Sequence, residues 1–147
     1  MNLYSAGVVA KATDTPLPTI QRYKQQGLVR LQSCDVPSSG SGDKCGYSER
    51  RAIQIALVTE LNKIGVVPSR AAKAAFDFSD NGNLGRAVGQ LYQLGTTYLI
   101  GLPDEQTQIV TVPPDLSIAD LLPRVGAAFV INCNQIVATV IGKLETQ

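Results

Sequence analysis

The segment TIQRYKQQGLV, residues 19–29, carries the pattern that decides the fold. It predicts a short helix that begins near Leu17 and ends at Gly27, because proline is tolerated only in the first turn of a helix and glycine supplies a left-handed C-terminal residue. Ile20 and Tyr23 are spaced so that one side of this helix is buried. The opposite side is strongly polar and cationic, and we expect it to meet a polar partner.

A first short helix is predicted immediately upstream, over residues 4–12, with Ser5 as its N-cap. Residues 13–16 break this helix. The N-terminal segment is therefore predicted to form two short helices joined by a tight turn.

A polar loop and two further helices are predicted downstream. Residues 33–46 are rich in Ser, Gly and Asp and are typical of a flexible wing between short extended pieces near residues 28–31 and at Tyr47. Ser48 is a suitable cap for a long third helix, whose apolar residues recur at three- and four-residue spacing until Gly65. A fourth, alanine-rich helix is expected over residues 68–76.

Two stretches together resemble the bacterial MerR regulators. TIQRYKQQGLV is similar to the family's TIRYYE pattern with its following GLL, and it shares the Thr-Ile pair, the aromatic residue, a nearby basic residue, the glycine and the leucine. GYSERRAIQIALVTELNKIGV, residues 46–66, is similar to the family's wing exit and third helix. The resemblance covers about half of the chain. It implies a winged helix-turn-helix that places its second helix in the major groove of DNA and its wing against flanking phosphates.

The cationic helix suits that role on physical grounds as well. A recognition helix must present long hydrogen-bond donors to base edges and phosphates, and we expect Arg22 to matter most. The resemblance implies that Tyr47 approaches the DNA backbone. The alternative for Tyr23 and Tyr47 is core packing, and for Arg22 and Lys24 a solvated helix face. The predicted DNA-binding residues are Thr19, Gln21, Arg22, Tyr23, Lys24, Arg30, Lys44, Tyr47, Arg50 and Arg51.

The second half of the chain is predicted to form a separate small unit. FSDNGN, residues 78–83, has the composition of a domain junction. We therefore expect an α+β protein with a winged helix-turn-helix over residues 1–77 and a small mixed module, for dimerisation or partner binding, over residues 84–147.

Five features are expected within the second unit. Leu84, Val88, Leu91 and Leu94 predict a helix, and TTYLIGL and TQIVTV around PDEQ predict a hairpin. Ser117 begins a capping box and AAFVIN is predicted to be a buried strand. Residues 134–146 suit either a helix or a strand, and we favour the helix.

The net charge of the chain changes sign close to the predicted domain junction. Residues 1–75 contain ten Lys or Arg and five Asp or Glu, a net charge of +5, whereas residues 76–147 contain three and seven, a net charge of −4. This division is typical of a polyanion-binding module joined to a partner domain that avoids phosphates. The alternative is a chance distribution of solvated surface charge.

Several classes of function are disfavoured. The 147 residues include no histidine, and no phosphate-binding or dinucleotide-binding glycine pattern is present. We therefore expect no enzymatic activity, no cofactor and no metal. Cys34 and Cys45 lie in the predicted wing and make a poor zinc set, with metal or redox sensing as the alternative. Cys133 is expected to be a small buried apolar residue.

The chain is expected to be a cytoplasmic protein. No apolar run approaches the roughly 18 residues that cross a bilayer, and residues 1–13 lack the pattern of a secretory signal. The predicted function is sequence-specific transcriptional regulation, by a homodimer on a palindromic site in double-stranded DNA. The alternatives are an excisionase-like protein that bends DNA and a protein-interaction adaptor that has lost DNA binding.

Overall fold

A computed structural model describes residues 2–30, 46–122 and 126–146 of the chain. Within these residues the fold is α+β, as predicted, with helices packed around two small antiparallel sheets. The elements in chain order are β1 (Leu3–Tyr4), α1 (Ala6–Thr13), α2 (Leu17–Gln25), β2 (Tyr47–Ser48), α3 (Glu49–Lys63), α4 (Pro68–Ser79), β3 (Thr96–Gly101), β4 (Thr107–Val112), a 3-10 turn (Ile118–Asp120), β5 (Phe129–Asn132) and α5 (Cys133–Glu145).

The predicted N-caps at Ser5 and Ser48 are confirmed, whereas Tyr4 lies in β1 and not in the first helix, and α4 continues to Ser79, beyond its predicted end at residue 76. The Ser5 hydroxyl accepts a hydrogen bond from the Val8 amide at 3.3 Å, and the Ser48 hydroxyl accepts one from the Arg51 amide at 3.2 Å. Gly65 follows α3 with a φ of +92°, a left-handed conformation that glycine adopts without strain.

Helix α3 is the centre of the fold. Residues 51–59 are all buried, so this helix is covered on every side rather than on one stripe. Helices α1, α4 and α5 pack against it. Because apolar residues from α1 to α5 join one core, the two halves of the chain share their hydrophobic packing. The predicted division into two domains stays a prediction.

The extended piece predicted at Tyr47 is confirmed as strand β2 of the small N-terminal sheet. Tyr4 pairs with Tyr47 and Leu3 with Ser48 in an antiparallel ladder, so β1, which the sequence did not predict, is a partner of this strand. Residues 28–30 are not in a strand. The predicted wing lies outside the described residues except for Gly46.

The predicted helix around Leu84 to Leu94 is wrong. Gly85, Gly89 and Gly95 have φ values of +82°, +68° and +78°, which an α-helix excludes, and this stretch runs irregularly from α4 to β3. Leu84 and Leu94 are 98% and 83% exposed.

Buried Arg86 organises this irregular stretch from its centre. Its guanidinium donates hydrogen bonds to the carbonyls of Asp77 and Phe78 in the last turn of α4, at 3.3 and 3.0 Å, and to the Asn81 carbonyl at 2.7 Å. These bonds satisfy carbonyls that the end of a helix leaves without a partner. A cation is also favoured there by the helix dipole.

The predicted hairpin, capping box and C-terminal helix are confirmed. Strands β3 and β4 pair antiparallel from Thr96–Val112 to Gly101–Thr107, and β5 pairs with the other edge of β3. Ser117 and Asp120 form the capping box, although it opens a 3-10 turn instead of an α-helix. Strand β5 is buried on one face only, because Val130 remains 37% exposed.

Candidate nucleic-acid interface

Helix α2 is defined at both ends by local chemistry. Pro18 lies in the first turn, and the Pro16 carbonyl accepts hydrogen bonds from the amides of Thr19 and Ile20 at 2.9 and 3.2 Å. At the other end Gly27 has a φ of +71°, and the Leu28 amide donates back to the Tyr23 carbonyl at 2.8 Å. This hydrogen-bonded C-terminal turn requires a residue in the left-handed conformation. The glycine in the sequence therefore locates the end of the helix to within one residue.

The inner side of α2 is fixed to the core by Ile20 and Tyr23, which are 0% and 4% exposed. The Tyr23 hydroxyl lies 3.3 Å from the Thr59 hydroxyl and accepts a hydrogen bond from the Asn62 amide at 3.2 Å. Thr59 in turn lies 2.8 Å from the Thr15 hydroxyl. The core-packing alternative therefore describes Tyr23, because its hydroxyl is engaged in this buried network and not at the surface where DNA would bind.

The outer side of α2 remains at the surface. Arg22 and Gln25 are exposed, and Thr19, Gln21 and Lys24 are partly exposed. The nine residues of α2 include no Asp or Glu. The helix therefore presents a positive, hydrogen-bonding face whose direction is set by its buried side.

Lys24 links this face to the β2 strand. Its ammonium lies 5.8 Å from the centre of the Tyr47 ring, a distance at which a cation is attracted to an aromatic face. Tyr47 itself is 0% exposed. The core-packing alternative therefore describes Tyr47, and its predicted approach to the DNA backbone is not available from this buried position.

The two arginines at the start of α3 have different positions. Arg51 is 0% exposed, and its guanidinium pairs with both carboxylate oxygens of Asp80 and donates to Gln54 at 2.6 Å. Its predicted role as a surface phosphate contact is wrong, because the side chain joins α3 to the end of α4 in the interior. Arg50 is partly exposed, with its guanidinium 3.9 Å from Asp80.

Asp80 is held ionised by this cluster. Burial raises the pKa of its carboxyl, but hydrogen bonds from Arg51 and Ser79 and attraction to Arg51 and Arg50 outweigh burial, so the pKa lies below its ordinary value. Sequence reasoning missed this residue. An acid that directly follows a helix, at the predicted domain junction, gives no signal that it is buried.

Arg30 is exposed and follows the turn that ends α2, whereas Lys44 lies outside the described residues. A Cβ placed on Gly27 would lie 3.7 Å from the Arg30 Nε, so the guanidinium lies beside this turn. Of the predicted residues, the described structure gathers Thr19, Gln21, Arg22, Lys24 and Arg30 on α2 and its closing turn.

A cleft of about 250 Å³ lies between this turn and α4, and sequence reasoning missed it. Exposed Lys73 and partly exposed Phe76, from α4, line it opposite Gly27, Leu28 and Arg30. The sequence marks α4 only as an alanine-rich helix, and no local pattern connects its surface with α2.

Cys133 is buried, as predicted, at the start of α5. Burial raises the pKa of its thiol to about 12, against a smaller opposing effect of Arg86. The thiol therefore stays protonated at neutral pH, and a protonated thiol is a poor nucleophile and metal ligand. Cys34 and Cys45 lie outside the described residues.

None of the helices in the described ranges combines the length and apolar character needed to cross a membrane.

Comparison of the sequence with protein-family models and with curated proteins finds no match.

Proposed function

We propose that this protein is a cytoplasmic, sequence-specific DNA-binding transcriptional regulator of MerR-like type, which binds a palindromic site as a homodimer and has no enzymatic activity. The observation that carries the proposal is the outer face of α2, where Arg22 and Gln25 are exposed while Ile20 and Tyr23 hold the other side in the core. A short helix fixed in this way has the features of a major-groove reader.

The side chains on this face have the chemistry that base edges and phosphates require. Arginine donates two hydrogen bonds to guanine, and glutamine can pair with adenine through its amide. Lys24 adds positive charge beside them, and no carboxylate in α2 repels phosphate. Arg22 is the residue that we assign to base recognition.

The proposal is tested first by direct binding. The wild-type protein and Arg22→Ala are titrated into a labelled mixed-sequence duplex over a range of salt concentrations. We expect measurable affinity at low salt that falls steeply as salt rises, because phosphate contacts release counterions. The matched control is Lys143→Ala, which removes an exposed cation from α5. Loss of affinity in Arg22→Ala but not in Lys143→Ala is the expected result.

Sequence specificity is tested by selecting genomic fragments that the protein retains and mapping the protected bases. On the selected site Arg22→Ala should weaken binding by about 1–3 kcal/mol and relax the preference at one base pair of each half-site. A wild-type protein that binds no duplex at low salt, or an Arg22→Ala variant with unchanged affinity for the selected site, would contradict the proposal.

A further inference from the structure

We propose that the cleft between the closing turn of α2 and helix α4 binds the sugar-phosphate backbone of duplex DNA, with Lys73 and Arg30 as its phosphate contacts. This inference rests on the proposed function, and it adds a second contact site on a different helix. The cleft is lined by Gly27, Leu28, Arg30, Ala72, Lys73 and Phe76.

The charge of the cleft indicates an anionic occupant. Arg30 and Lys73 both line it, and among the described residues no carboxylate lines it and neither cation forms an ion pair. Two cations that line one concave, partly apolar surface reinforce each other's potential and attract anions more strongly than either alone. Exposed Lys63 differs in this respect, since it is paired with Asp14 and Glu60 at 3.7 and 3.2 Å.

The rest of the lining favours a nucleic-acid backbone over a free phosphate ion. Leu28, Ala72 and the 38% exposed Phe76 line the same cleft and make part of its surface apolar. A phosphate ion has no apolar part to cover this surface, whereas a deoxyribose does. The turn that forms one wall follows α2 directly, so the cleft adjoins the helix that we propose to enter the major groove.

The experiment compares Lys73→Gln and Arg30→Gln with the wild-type protein on one mixed-sequence duplex and on a second duplex of different sequence. Each variant is expected to lose roughly fivefold in affinity at low salt, equally on both duplexes, because one charge-assisted bond to a phosphate is replaced by water. The slope of log affinity against log salt should become shallower by about 0.9 for each variant. Lys143→Gln, with the same loss of charge on α5, should change neither quantity.

The outcomes separate this inference from the proposed function. If the wild-type protein binds duplex and Arg22→Ala weakens it, while both glutamine variants keep the wild-type affinity and salt slope, this inference alone is overturned. This inference is also overturned if the glutamine variants change the free energy of unfolding but not the affinity for DNA. Lys73 and Arg30 would then interact with the protein itself and not with a phosphate. A wild-type protein without affinity for duplex overturns both.

Discussion

At the scale of single residues, Asp80 is the group on which the junction of α3 and α4 depends. It pairs with fully buried Arg51 and lies 3.9 Å from Arg50, and its side chain is only 8% exposed. Removing one partner of a buried ion pair leaves an uncompensated charge in a poorly solvated place. The pair is therefore sensitive to substitution even if its formation adds little net stability.

We expect Asp80→Asn to lower the free energy of unfolding by about 3 kcal/mol, because Arg51 keeps its charge and loses its counterion. Urea unfolding at neutral pH measures this change. The matched control is Asp115→Asn at an exposed position, which should stay within about 0.5 kcal/mol of the wild type.

The Asp80 carboxylate also makes the free energy of unfolding depend on pH. The pKa of Asp80 is lowered in the folded protein, so its contribution is fully present above the unfolded value of about 3.9 and is lost as the pH falls through the folded pKa. Between neutral pH and pH 3 the stability difference between wild type and Asp80→Asn should therefore shrink. A difference that stays constant over this range would show that Asp80 acts through packing instead.

Arg50 and Arg51 also show where sequence reasoning stops at this scale. Ser5 and Ser48 act through hydroxyls that bind amides three residues away, and the glycines after α2 and α3 act through their own backbone, so a local pattern predicts all four correctly. Arg51 is the arginine that turns inward because it pairs with Asp80, and no local rule connects two residues so far apart in the sequence.

At the scale of elements, the contact between β3 and β5 depends on a glycine. Gly101 pairs with Phe129 across the sheet, and a Cβ on Gly101 would lie 2.0 Å from two atoms of the Phe129 ring. The Arg70 guanidinium, which comes from α4, lies over the same Phe129 ring, 4.9 Å from its centre. The ring therefore has neighbours on both the sheet side and the α4 side.

We expect Gly101→Ala to destabilise the protein by about 1–3 kcal/mol, because the ring must leave its position to admit a methyl group. In Gly101→Ala combined with Phe129→Ala the clash is absent, so the double variant should lose less stability than the two single changes together. Gly7→Ala in α1, where a Cβ would meet nothing within 4 Å, is the control and should be neutral or stabilising. Additive losses in the double variant would contradict this account.

The sequence predicts secondary-structure elements correctly where they depend on interactions between residues that are close in the chain. The β3–β4 hairpin and α5 follow from alternation and spacing, whereas no helix forms from Leu84 to Leu94 because Gly85 and Gly89 adopt positive φ values despite the apolar spacing. The face of α2 was predicted correctly as amphipathic. The cleft against α4 was missed because it depends on packing between segments that are distant in sequence.

At the scale of the whole molecule, α5 joins the two halves that differ in charge and composition. Val140 and Leu144 are 2% and 3% exposed, and α5 packs against α1 and α3, the helices that support α2. Residues 51–59 of α3 are buried on all sides because α5 covers this helix together with α1 and α4.

This packing predicts that the molecule unfolds as one cooperative unit. Leu144→Ala should lower the free energy of unfolding by about 2–4 kcal/mol, through lost apolar contact and the cavity left behind. Because α5 contacts the N-terminal helices, amides of α3 and of β3 should lose protection from hydrogen exchange together and by the same amount. Leu94→Ala, at an 83% exposed position, is the matched control and should change stability by less than about 0.5 kcal/mol. If α3 keeps its wild-type protection in Leu144→Ala while β3 loses its own, the two halves fold independently and the shared core does not couple them.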